Sequence, residues 1–159
     1  YQESYSNDSF LCNLSISEAY KYILLRNIIR AVTVVFRRSE FDKYCNIDDY
    51  IHNKFITFDY PVWLSILAHN KVHYLPECTA VYREIGTSIS NTSNLSKRLN
   101  FEREVYKIRR YIINLYGSAG LSASKIRLRE AIVLSRIAWR AKSLFRAAYL
   151  FFSHLLGTN

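Results

Sequence analysis

The sequence predicts an α+β fold dominated by helix, and three observations carry that prediction. Only four glycines and two prolines occur in 159 residues, too few for a disordered chain or for the many tight turns of an all-β sandwich. Several long segments repeat apolar residues at helical spacing, while three short runs are β-branched and aromatic without that period. Half of the chain is apolar, enough at this length for one domain with a genuine core.

The elements follow in order. Residues 1–8 are polar and read as a loop. Ser15 and Glu18 form a capping box that opens a helix through about Asn27, with Tyr20, Ile23, Leu24 and Asn27 on one side. "AVTVVF" (31–36) reads as a buried strand. Ser39 caps a short helix after it. "NIDDYIHNKFIT" is ambiguous and reads as a loop with or without one helical turn. A helix from Tyr60 to about His69 has Asp59 at its cap and Pro61 in its first turn, where proline is tolerated. "VHYLP" and "TAVYRE" read as two short strands around Pro76-Glu77. "GTSISNTSNLS" (86–96) is a polar surface loop of the kind that closes over ligands. A helix with Leu99, Phe101, Val105, Ile108, Ile112 and Leu115 then ends at Gly117. A last long helix is expected over roughly 122–155. One of its faces carries Lys125, Arg129, Arg136 and Arg140, and another carries Ile126, Val133, Ile137, Leu144, Ala148, Phe152 and Leu155. Two parts result, 1–116 and a basic amphipathic extension, 117–159.

Charge divides the chain in the same way. Residues 1–96 hold nine Lys/Arg against ten Asp/Glu; residues 97–159 hold thirteen against three, so the whole net charge of +9 sits at the C-terminal end. That asymmetry calls for an anionic partner. A membrane surface or interdomain packing suits the wide apolar face of 122–155, and no helix-turn-helix, zinc or RRM signature supports nucleic acid. No uncharged apolar run is long enough to span a bilayer. Cys12, Cys45 and Cys78 are evenly spaced, but their flanks do not repeat and no CxxC pair exists. They are expected to be reduced, mostly buried thiols in a cytoplasmic compartment. The chain has no methionine and is expected to be a piece of a longer protein.

"TVVFRRS" (33–39), "DYPVWLSIL" (59–67) and "YLPECTAVYREIGTSIS" (74–90), in that order and spacing, resemble the C-terminal, acceptor-side half of family-2 glycosyltransferases of the GT-A fold. The likeness covers roughly residues 10–115. It implies an inverting transfer of sugar from a nucleotide-sugar donor to a glycan or lipid-linked acceptor. It also implies a divalent cation, Mg or Mn, with ligands mostly outside this chain. The nucleotide-binding half and its DxD motif would precede residue 1, so the piece alone is expected to be inactive. Where many relatives carry two adjacent acids this chain has Phe58-Asp59, and where several carry a histidine it has Ile85.

From its residues alone Asp59 is a plain helix cap; the resemblance implies the catalytic base that takes the acceptor's proton, and one carboxylate can fill both roles. Trp63 either stacks on a sugar or packs in the core. Arg83 either reaches the donor diphosphate or lies on a strand surface. Ser88 and Ser90 either touch ligand or are solvated. Arg37 and Arg38 either hold Asp59 or a phosphate, or form a surface pair. His69 and His73 stand on either side of a helix break, so no metal site is expected. The alternative to the enzyme is a non-catalytic module that binds an anionic membrane through its C-terminal helix. For the enzyme, the expected location is cytoplasmic, peripheral on the inner face of the plasma membrane.

Overall fold

The computed structural model describes residues 8–75, 77, 80, 94–140 and 143–157. Seven α-helices lie among them: α1 (Ile16–Leu25), α2 (Arg38–Tyr44), α3 (Ile47–His52), α4 (Asp59–Leu67), α5 (Leu95–Tyr116), α6 (Ala123–Arg140) and α7 (Leu144–Leu156). Two 3-10 turns, Asp8–Asn13 and Ala31–Thr33, accompany them.

The described residues contain no strand, which corrects the expected α+β class and its GT-A-like sheet. The "AVTVVF" run shows why. A strand must hand its backbone groups to a neighbour; here Thr33 turns back instead, its N–H and hydroxyl both donating to the carbonyl of Arg30, at 3.0 and 2.9 Å. Val35 is 91% exposed, so β propensity produced no sheet among the described residues. Residues 71–75 are also irregular, and most of "TAVYRE", together with loop residues 86–93, lies outside the described residues.

Local signals placed α1, α4 and α5. Ser15 caps α1 as a full box: its hydroxyl accepts from the Glu18 N–H at 3.3 Å, and Glu18 accepts from the Ser15 N–H at 2.9 Å. The pair also holds the Glu18 carboxyl below its ordinary range, the Ser15 hydrogen bonds being the main cause. Ser15→Ala removes one of these acceptors and should cost about 1 kcal/mol; an unchanged urea midpoint would show that α1 is held by packing alone. Tyr20, Ile23 and Leu24 face the core as expected, whereas Asn27 is exposed beyond the helix end. Arg37, not Ser39, occupies the cap position of α2. The ambiguous 46–57 stretch contains α3, capped by Asn46, whose side chain accepts from the Asp49 N–H at 3.1 Å.

α5 is the spine. Its C-terminal half gives Ile108 and Ile112 to a core built with Ile23, Leu24, Tyr60 and Leu64 of α1 and α4. Its N-terminal half gives Leu99 and Tyr106 to a second core with Leu134, Ile137 and Ala138 of α6 and Ala147 and Leu150 of α7. Gly117, at φ +80°, ends the spine in a conformation that favours glycine, and its carbonyl accepts from the Tyr20 hydroxyl of α1 at 2.9 Å.

The expected single helix over 122–155 is two. α6 and α7 pack against each other as a hairpin, with Ser143 N–H bonded to Ala138 O at 3.1 Å where α6 gives way to α7. The break redistributes the expected apolar stripe: Ile126 and Ile137 are buried and Val133 half-buried, whereas Ala148, Phe152 and Leu155 of α7 are exposed. No helix among the described residues is long and apolar enough to cross a membrane.

Candidate functional site: an arginine-lined cleft

A cleft of about 750 Å³ opens between the end of α1, the start of α4, the middle of α5 and the middle of α6. Each wall is set by sequence features already in view. Arg26 follows the last turn of α1; Thr57, Asp59 and Tyr60 lead into α4; Glu102, Tyr106 and Arg109 project from α5; Arg129 and Arg136 come from the basic stripe of α6. Four guanidinium groups therefore face two carboxylates.

Polar bookkeeping singles the cleft out. Four buried side-chain polar atoms among the described residues have no hydrogen-bond partner: Thr57 Oγ1, Trp63 Nε1, Arg109 Nε and Arg129 Nε. Three of the four belong to residues of this cleft. Buried donors without partners are costly and rare, and their concentration on one surface marks a place where an acceptor belongs.

The charges agree. Arg109 is buried and held by Glu130 of α6, Nη1 to Oε1 at 3.4 Å, both side chains at most 4% exposed. Its guanidinium also lies over the Tyr106 ring at 5.0 Å. Glu130 further accepts from His154 of α7 at 2.9 Å and lies 4.0 Å from Arg110. No ion pair forms between a carboxylate and Arg26, Arg129 or Arg136 among the described residues. The Arg129 guanidinium is pushed below its ordinary range, first by burial and then by the repulsion of Arg26, against the pull of Tyr106, with Arg109 and Arg136 adding to it. Burial pushes the Glu102 carboxyl up, partly offset by Arg109, Arg98 and Arg129. Burial likewise raises the Tyr106 and Tyr60 phenols, so both stay neutral donors. Such a surface suits an anion with several acceptor oxygens, a phosphate or diphosphate above all.

Arg129→Gln tests that fit. Removing a repelled cation should leave stability unchanged or raise it by no more than about 1 kcal/mol after solvent screening, roughly 2–4 °C in Tm. Affinity for inorganic pyrophosphate should meanwhile fall about tenfold or more, the worth of a charge-assisted hydrogen bond. Equal pyrophosphate affinity in the two proteins would remove Arg129 from the site.

Asp59 stands on the cleft wall as the first residue of α4; the cap position itself is Phe58, whose side chain makes no capping bond. The Asp59 carboxylate accepts from the adjacent Tyr60 N–H through Oδ1 at 2.8 Å. Pro61 is in the first turn and buried. Trp63 is only 7% exposed and meets the Phe36 ring edge-on at 5.8 Å, among core residues rather than on the cleft wall. Arg37 is exposed at the cap of α2, away from the cleft. Arg83, Ser88 and Ser90 lie outside the described residues, as does Cys78. Cys12 and Cys45 are free and half-buried. Burial pushes the Cys45 thiol up to about 11 against a hydrogen bond with Tyr50, which does not suit a nucleophile.

The divalent cation implied by the resemblance finds no group of three His, Cys, Asp or Glu side chains among the described residues. The two cleft carboxylates face four guanidinium groups, so these residues do not fit a metal ion. The positive charge on this cleft comes from arginine side chains.

The sequence pointed to Asp59, and its basic stripe contained Arg129 and Arg136, but it did not point to Arg26, Glu102, Arg109 or Glu130. A signal existed for two of them. Arg109 stands four residues after Val105 and three before Ile112, and Glu130 four after Ile126 and four before Leu134, so each charge interrupts an apolar helix face. No family model, curated protein or solved structure matches this chain.

Proposed function

We propose that the chain forms the acceptor-side part of an enzyme that transfers a sugar from a nucleotide-diphosphate donor to a hydroxyl of a glycan or lipid-linked acceptor. The observation that carries this reading is the placement of Asp59. It stands at the edge of a cleft whose unpaired guanidinium groups suit a diphosphate leaving group. In this reading Asp59 Oδ1 is anchored by the Tyr60 N–H and Oδ2 takes the acceptor proton as its oxygen attacks the anomeric carbon with inversion. Arg26, Arg129 and Arg136 take up the negative charge that grows on the departing diphosphate, and Arg109 borders the same space.

The reading includes a cytoplasmic enzyme, peripheral on the inner face of the plasma membrane. It assigns donor transfer to the full-length protein and, to this chain, binding of the diphosphate group. The test follows that division. With full-length protein and a panel of UDP-, GDP- and dTDP-sugars, at least one donor should release its nucleoside diphosphate in an acceptor-dependent way. The chain alone should bind that same nucleoside diphosphate. Absence of both release and binding across the panel would overturn the proposal.

A further inference from the structure

We propose that the outer face of α7 docks on the surface of an anionic bilayer. Its inner face is Ala147, Leu150 and Ser153, buried against α6. Phe145, Tyr149, Phe152 and Leu156 recur at spacings of four, three and four, which puts them on one line along the opposite side. All four are exposed, Phe145 by 94% and Leu156 by 75%. Trp139, near the end of α6, is exposed by 65%. Monomers rarely present so many large apolar side chains together without a partner.

Charge identifies the partner. Between Ser118 and the last residue there are seven Lys/Arg and one acid, Glu130. That acid is buried and bonded to Arg109 and His154, so the α6–α7 hairpin offers no outward carboxylate. Cations stand at both ends of the aromatic line. Arg127 Nη1 lies 3.5 Å from where a Cβ on Gly157 would be, beside the C-terminus of α7, and Arg140 is exposed at the end of α6. An aromatic and leucine stripe with cations at both ends is the pattern of a helix lying in a headgroup layer, with rings at the acyl boundary and arginines on lipid phosphates. A second copy would set one all-basic surface against another. A nucleic acid would need cations along the line itself rather than rings.

Vesicle flotation decides between these. The full chain should float with vesicles of phosphatidylglycerol and phosphatidylcholine in equal parts and not with phosphatidylcholine alone. Salt sufficient to shorten the Debye length to about 3 Å should weaken it. Phe145→Glu with Phe152→Glu replaces two outward rings without touching the cores, so circular dichroism should keep its helical signal. Partition of that variant should fall at least about tenfold, the worth of one buried ring. Absence of flotation with the anionic vesicles overturns the proposal, as does undiminished flotation of the variant. A shift of the variant from dimer to monomer in sedimentation, with flotation unchanged, assigns the stripe to a second copy instead.

Discussion

Glu130→Gln should destabilise the protein by about 3–5 kcal/mol, the cost of stranding a buried cation. Among the described residues Arg109 has only this carboxylate as an ion-pair partner, at 3.4 Å, in a site where both side chains are almost fully enclosed. The amide is isosteric but has one oxygen where the carboxylate turns Oε1 to Arg109 and Oε2 to His154, so the effect reads out the lost charge and one lost acceptor rather than volume. Against a total stability of about 5–15 kcal/mol, such a loss should shift the urea midpoint conspicuously. The companion experiment replaces the pair together, Arg109→Met with Glu130→Leu. An apolar pair of similar size needs no counter-charge, so most of the stability should return. A shift below about 1 kcal/mol for the single variant would mean that water reaches Arg109 and screens it.

On the proposed function, Asp59→Asn should lower sugar transfer by about 10²–10⁴-fold, the usual contribution of a positioned general base. The amide keeps an oxygen for the Tyr60 N–H, so α4 should start where it does now and the melting temperature should hold. A base that acts on the acceptor leaves donor binding alone, so the KM for the donor should change little while kcat falls. Wild-type-like turnover would remove Asp59 from the chemistry and leave it as a first-turn carboxylate favoured by the helix dipole. Loss of donor binding with unchanged kcat would instead place it among the groups that shape the cleft.

Much of the helical scaffold was legible because its signals are local. The Ser15–Glu18 box, Pro61 in the first turn of α4 and Gly117 at the end of α5 each act within a few residues, so spacing alone exposes them. The strand at 31–36 was misread because strand formation is not local: Val34 and Val35 favour extended backbone, but a sheet also needs a neighbour. The break between α6 and α7 was invisible for a related reason. The stretch from Arg140 to Leu144 contains neither glycine nor proline, and the apolar period runs through it, so its spacing does not mark the end of α6, whereas the packing of α6 and α7 on each other does. The cleft was half legible. Asp59 and the basic stripe of α6 stood out, but Arg26 and Arg129 lie more than a hundred positions apart in the chain, and no spacing rule brings such residues together.

The long spine has a thermodynamic consequence. Leu99 and Tyr106 belong to one apolar cluster and Ile108 and Ile112 to the other, yet all four sit on the continuous backbone of α5. Melting either cluster would strip one end of that helix of its packing, and a helix in water draws most of its stability from packing rather than propensity. The two clusters therefore share one fate: neither can open alone without fraying the helix on which the other is built. Loosening the α6–α7 hairpin should therefore cost order in the cleft as well, because α5 and α6 both wall the space on which Asp59 stands.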